Sequence, residues 1–186
     1  AVLEMDYSEA DQDATGEAAL ETEKMLTYYE LDLGLNHVIR KWSEPVNRTG
    51  NTLLSVPGGN DGPGGVLICS EGWVSYKNQG HDEVRTPIPR REDMTGDRGL
   101  LIVATATHRQ RDLFFFLVQS EVGDIYKVTV EFQPDQASGG FRVDDVKVKY
   151  FDTVPVSNAI CITKTGLLFV ASEFANHCLY QFQGIG

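Results

Sequence analysis

Three cysteines in 186 residues leave little scope for covalent cross-linking. Cys69, Cys161 and Cys178 are odd in number, show no CxxC spacing and sit in apolar, strand-like contexts, so neither a disulfide framework nor a zinc knuckle is expected. A reducing compartment suits that usage, and it argues against glycosylation at the sequon Asn47-Arg48-Thr49. His37, His81, His108 and His177 are scattered without metal-ligand spacing, and no serine sits in a GxSxG elbow. Long apolar runs are missing too: the longest, Leu113 to Val118, has six residues, against the roughly 20 a membrane-spanning helix needs. No membrane partner is expected. Cations are scarce, 16 Lys and Arg against 27 Asp and Glu, and the net charge of -11 disfavours simple electrostatic binding of a phosphate backbone.

What is present is alternation. Apolar residues recur at period two in Met25 to Leu33, Leu67 to Tyr76, Leu100 to Ala106, Asp124 to Val130, Val143 to Phe151 and Cys178 to Phe182, while no window keeps a 3.6-residue stripe for three turns. Gly and Pro punctuate the runs at Pro57 to Gly65, Gly96 to Gly99, Gly123-Asp124, Ser138 to Gly140 and Thr165-Gly166. The pattern predicts an all-β protein of short antiparallel strands.

A weak internal repeat sharpens that class. An apolar run ends in Ser-Glu, a turn follows, and the next strand carries a tyrosine: Leu67 to Glu71 with Tyr76, Leu117 to Glu121 with Tyr126, Phe169 to Glu173 with Tyr180. Ser70 and Ser120 are 50 residues apart and Ser120 and Ser172 are 52, a period that suits a four-stranded β-propeller blade. Tyr7-Ser8-Glu9 with Tyr28-Tyr29 forms a degenerate leading copy, lengthened by an acidic insertion. Residues 1–186 are therefore expected to form part of a propeller of about three to four blades, an incomplete ring, with residues 10–23 as an acidic loop between strands. The start at Ala1 without methionine fits a piece of a longer chain, and such a piece is expected to self-associate through uncovered blade surfaces.

Several patterns resemble functional sites. Asp11, Asp13, Thr15 and Gly16 imitate half a calcium loop, but Thr22 stands where the closing Glu belongs. The stretch Pro57 to Gly65 resembles a phosphate cradle, yet it enters a strand and carries no lysine. Glu71, Glu121 and Glu173, at repeated positions, are the candidates for a metal on a propeller axis; strand-end turn formation is the simpler role. Arg85, Arg90, Arg91, Arg98, Arg109 and Arg111 form a local excess of positive charge and are the candidate partner-facing patch. No aromatic platform or RNA-binding motif interleaves with them. No catalytic, cofactor-binding or metal-binding residue is assigned.

Longer strings carry a resemblance. Leu3 to Tyr7, Tyr29 to Val38, Pro87 to Arg91, Lys149 to Val156 and Leu168 to Phe174 resemble the splicing factor 3b subunit 3 family of propeller proteins, relatives of the damaged-DNA-binding protein large subunit and of a cleavage and polyadenylation factor subunit. The departures fall in Gly80 to Glu83, Glu92 to Arg98 and Gln133 to Arg142. The resemblance implies a piece of the first of three propellers, in a nuclear, non-enzymatic scaffold of the complex that selects the intron branch site. Implied partners are the helical-repeat subunit 1 and the small subunit 5 of that complex, with small nuclear RNA and pre-mRNA associated indirectly. The competing expectations are a ubiquitin-ligase adaptor of the related architecture and a metal-dependent propeller hydrolase.

Overall fold

The computed structural model describes residues 1–110, 113–136 and 139–184 and is nearly all β. Four antiparallel sheets account for the strands, as in part of a β-propeller. The chain divides into two compact units, Ala1–Leu53 and Leu54–Gly186.

The first unit holds one three-stranded meander: β1 (Val2–Met5), β2 (Lys24–Asp32) and β3 (His37–Val46). Between β1 and β2 lie a short 3-10 turn, Ala10–Gln12, and one helix, α1 (Glu17–Glu21). Neither buries a residue, because the stretch is almost all Asp, Glu, Ala and small polar groups. A bulge at Tyr28/Tyr29 bends the outer hairpin, and the tip leucines Leu33 and Leu35 stand 82% and 77% exposed.

The second unit holds two four-stranded meanders and a three-stranded one. The first is β4 (Thr52–Ser55), whose first two residues close the preceding unit, β5 (Val66–Ser70), β6 (Trp73–Lys77) and β7 (Val84–Pro87). The next is β8 (Ile102–Gln110), β9 (Leu113–Ser120), β10 (Asp124–Asp135) and β11 (Gly140–Thr153). The last is β12 (Ala159–Ile162), β13 (Leu167–Ala171) and β14 (Cys178–Gln181).

Alternation explains the stacking. In β9 the side chains of Phe114, Phe116 and Val118 point to one face, where they meet Leu54, Leu67, Cys69, Val74 and Tyr76 of the preceding sheet. Phe115 and Leu117 point to the other, against Ile160, Leu168 and Val170 of the following sheet. A central strand buried on both faces reads as the unbroken apolar run Leu113 to Val118, and each fully buried large side chain there contributes about 1.5–3 kcal/mol.

The Ser-Glu repeat maps onto equivalent strands: Ser70 and Ser120 close β5 and β9, the second strands of their sheets, and Ser172 follows β13 directly. The tyrosines do not correspond. Tyr76 faces Leu67, Tyr126 faces Val118 and Tyr180 faces Leu168, which lie three, two and four residues before their serines. The turn between β5 and β6, Glu71-Gly72, is one residue shorter than that between β9 and β10, Glu121 to Gly123, and with a side-chain period of two that single residue moves Tyr76 to the opposite face of its sheet from Tyr126.

Candidate interaction surface

The three repeated glutamates bind backbone and side-chain donors at the sheet ends. Glu71 Oε1 accepts from Gly99 N at 3.1 Å, Glu121 Oε1 from Leu101 N at 3.3 Å, and Glu173 Oε2 from Asn158 Nδ2 at 2.9 Å. Each thereby ties a turn to the chain just ahead of the next sheet's first strand or its own. No group of three or more His, Cys, Asp or Glu that could hold a metal occurs among the described residues. The Gly-rich stretch Pro57 to Gly65 closes on itself, with Gly64 N donating to Pro57 O at 2.8 Å and Val56 N to Gly65 O at 3.0 Å. In the calcium-like segment Asp13 accepts from Thr15 Oγ1 at 2.6 Å and from Ala18 N at 2.8 Å, which caps α1. Those bonds, Thr15 first, hold its carboxyl down to about 2. In the sequon, Asn47 Oδ1 accepts from both Thr49 N and Thr49 Oγ1, a local turn.

The arginines occupy more than one place. Arg85 lies over the Trp73 ring, 4.5 Å from its centroid. Arg90 Nη2 donates to Gly96 O at 2.6 Å within the loop between β7 and β8. Arg91 grips Asp93 with Nε and Nη2 at 2.9 and 2.6 Å, and Arg98 reaches Glu121 at 2.9 Å. Arg109, which pairs with Asp61 at 2.5 Å, sits toward the far end of β8, about 23 Å from its first residue at 3.3 Å per residue. Arg111 lies outside the described residues. All five described guanidinium groups remain solvent-exposed while already sharing their charge or ring contact.

Two groups at these sheet ends escaped the sequence reading. Gln119 is fully buried, and its Nε2 donates to Pro155 O at 3.0 Å and to Gly123 O and Val154 O at 3.3 Å. Its Oε1 accepts from Ser157 N at 3.0 Å and Ser157 Oγ at 2.5 Å, so one amide bonds to three residues, Val154, Pro155 and Ser157, of the connection from β11 to β12. Asp124 is likewise buried, with Oδ1 accepting from Thr153 Oγ1 at 2.6 Å. Tyr126 OH donates to Pro89 O at 2.8 Å, and burial pushes this phenol up to about 12. The signal was there for Gln119: a polar residue that continues a buried strand directly after its apolar run demands hydrogen-bond partners.

Comparison with known proteins follows the same lines. A family model described as the RSE1/DDB1/CPSF1 first beta-propeller matches residues 1–186. The chain is 59% identical over 186 residues to spliceosome-associated protein 130 A of Arabidopsis thaliana, covering all of this chain and 15% of that protein. It is 56% identical over 190 residues to splicing factor 3B subunit 3 of Drosophila melanogaster, again 15% of that protein, and 50% identical over 192 residues to pre-mRNA-splicing factor rse1 of Neurospora crassa, 16% of it. The chain thus spans about 15% of the length of the curated relatives it matches.

Proposed function

Because the chain belongs to the RSE1/DDB1/CPSF1 first-propeller family, we propose that it is a scaffold segment of a splicing complex, non-enzymatic, which presents sheet-end loops to protein partners in the nucleus. Identity of 50–59% to splicing factors along the whole chain is the observation that carries this reading. The partners proposed are the helical-repeat subunit 1 and the small subunit 5 of splicing factor 3b, with small nuclear RNA and pre-mRNA reached through them. Residues 1–186 are proposed to supply three to four blades. The use of Glu71, Glu121 and Glu173 as turn ties supports scaffold over hydrolase, since their oxygens serve neighbouring donors.

The arginines Arg85, Arg90, Arg91, Arg98, Arg109 and Arg111 are proposed to contact partners, the described ones from more than one place. Partly compensated, exposed arginines suit the polar rim of an interface. Affinity purification of the full-length protein with identification of bound subunits tests the whole reading: recovery of splicing factor 3b subunits is expected, and recovery of a cullin in their place would establish the ubiquitin-ligase alternative. Charge reversal at Arg90 and Arg109 should weaken recovery without unfolding; unchanged recovery removes the arginines from the interface.

A further inference from the structure

One corner of the second unit has an unequal ionic pairing. Arg91 stands between two carboxylates and serves mainly one of them. Its Nε and Nη2 take Asp93 in a two-point grip, whereas Nη1 lies 3.8 Å from Asp124 Oδ1, too far for a hydrogen bond. Asp93 is 64% exposed at its side chain and Asp124 only 1%. Asp124 Oδ1 is held by Thr153 Oγ1, which is linked in turn to Tyr150 OH at 2.9 Å, and Oδ2 has no hydrogen-bond partner among the described residues. A buried carboxylate oxygen left in this state is costly, and the better-solvated acid holds the arginine that would relieve it.

Beside this pairing opens a cavity of about 190 Å³ lined by Arg91, Asp93, Met94 and Val122. Two of its walls are apolar. The loop from Arg90 to Arg98 is neutral, with three arginines against Glu92, Asp93 and Asp97, and Glu121 and Asp124 facing it bring the corner to -2. An incoming anion would meet that excess; a cation would cancel part of it.

We propose that this corner receives a lysine or arginine side chain from a protein partner. The arriving cation pairs with Asp93, its methylene stem lies along Met94 and Val122, and Arg91, released from Asp93, turns onto Asp124 Oδ2. Three charges that make one good pair become four that make two, and the buried carboxylate gains the charge-assisted donor it lacks. The loop between β7 and β8 is then anchored at Arg91 as well as at Pro89, where Tyr126 already holds it. The site does not depend on the splicing assignment, since it follows from the charges and the cavity alone.

The test is hydrogen–deuterium exchange of the full-length protein, followed on the peptide covering residues 89–98, during titration with N-acetyl-arginine amide. N-acetyl-citrulline amide, of the same shape without the charge, is the control. At a probe concentration twice its Kd, exchange of this peptide is expected to slow by about threefold, and the citrulline compound should leave it unchanged. Asp93→Asn should abolish the effect, Asp124→Asn should abolish it too, and Asp97→Asn, altering an acid of the same loop outside the cavity, should preserve it. Should Asp124→Asn fail to fold, the exposed Asp93→Asn variant still decides. Equal protection by the neutral compound, no protection of the wild type, or full protection of Asp93→Asn each overturns the proposal.

Discussion

Gln119 occupies a position that its repeat counterparts fill with Cys69 and Ala171, neither of which offers an amide. A leucine there would match the volume and take from Pro155 O, Val154 O and Ser157 N the partner that Gln119 supplies. Gln119→Leu is therefore expected to destabilise the second unit by about 2–4 kcal/mol, seen as a lower urea midpoint at unchanged slope. An unchanged midpoint would mean that other groups hold the β11–β12 connection. The cysteines divide by the same reasoning. Burial pushes the Cys69 thiol up to about 12, whereas Cys161 is exposed. Since the thiolate is the nucleophile, iodoacetamide at neutral pH should label Cys161 and leave Cys69 intact until denaturant is added. Early modification of Cys69 in a peptide map would contradict its place in the core.

Among the elements, the turns after the second strands of the two four-stranded sheets differ in length but share one backbone bond. Ile88 N donates to Gly72 O at 2.8 Å and Val154 N to Gly123 O at 3.0 Å, so in two sheets the chain leaving the fourth strand bonds back to the turn glycine. At Gly123 the backbone has φ of 94°, and a Cβ would lie 2.5 Å from Val154 O. Gly123→Ala should cost about 1–3 kcal/mol in the same urea assay, from the strained φ and the displaced carbonyl together. The acidic stretch between β1 and β2 behaves differently: Asp13 holds the start of α1, and Arg48 Nη2 donates to Ala19 O at 2.5 Å near its end. Asp13 is held near 2, below the usual 3.8, so its support of α1 is complete above 3.8 and is lost as pH falls through about 2. The Ala18 amide resonance should report that titration with a midpoint near 2; a midpoint near 3.8 would show that the cap does not form.

For the molecule as a whole, the outer face of the last sheet lacks the cover that the two sheets before it have. Leu67 and Leu117 are both 0% exposed because the next sheet packs over them, but Phe169, at the same place in the repeat, is 42% exposed and its cross-strand neighbour Leu179 is 63% exposed. Such an uncovered apolar sheet face favours association. Residues 1–186 alone are expected to show a mass by light scattering that rises with concentration, and Phe169→Lys with Leu179→Glu should lower it. A concentration-independent monomer would show that this face is tolerated in water.

The all-β class, the strand runs and the roughly 50-residue period were legible in the sequence because side-chain alternation is a local property, imposed on each strand by the faces it must bury. The Ser-Glu positions were legible for a related reason: each ends a strand in the same way. Which face a side chain joins was not, because one residue fewer in the turn after Ser70 reverses Tyr76 relative to Tyr126, and turn length shows its effect only once register is set. The arginines show the same division. Their number and charge belong to the sequence, but the acids that engage them come from distant segments, Asp61 for Arg109, Glu121 for Arg98 and Asp124 beside Arg91. Coulomb interactions depend on distance in space, so only the stacked sheets could decide which cations are shared and which carboxylate is left half satisfied.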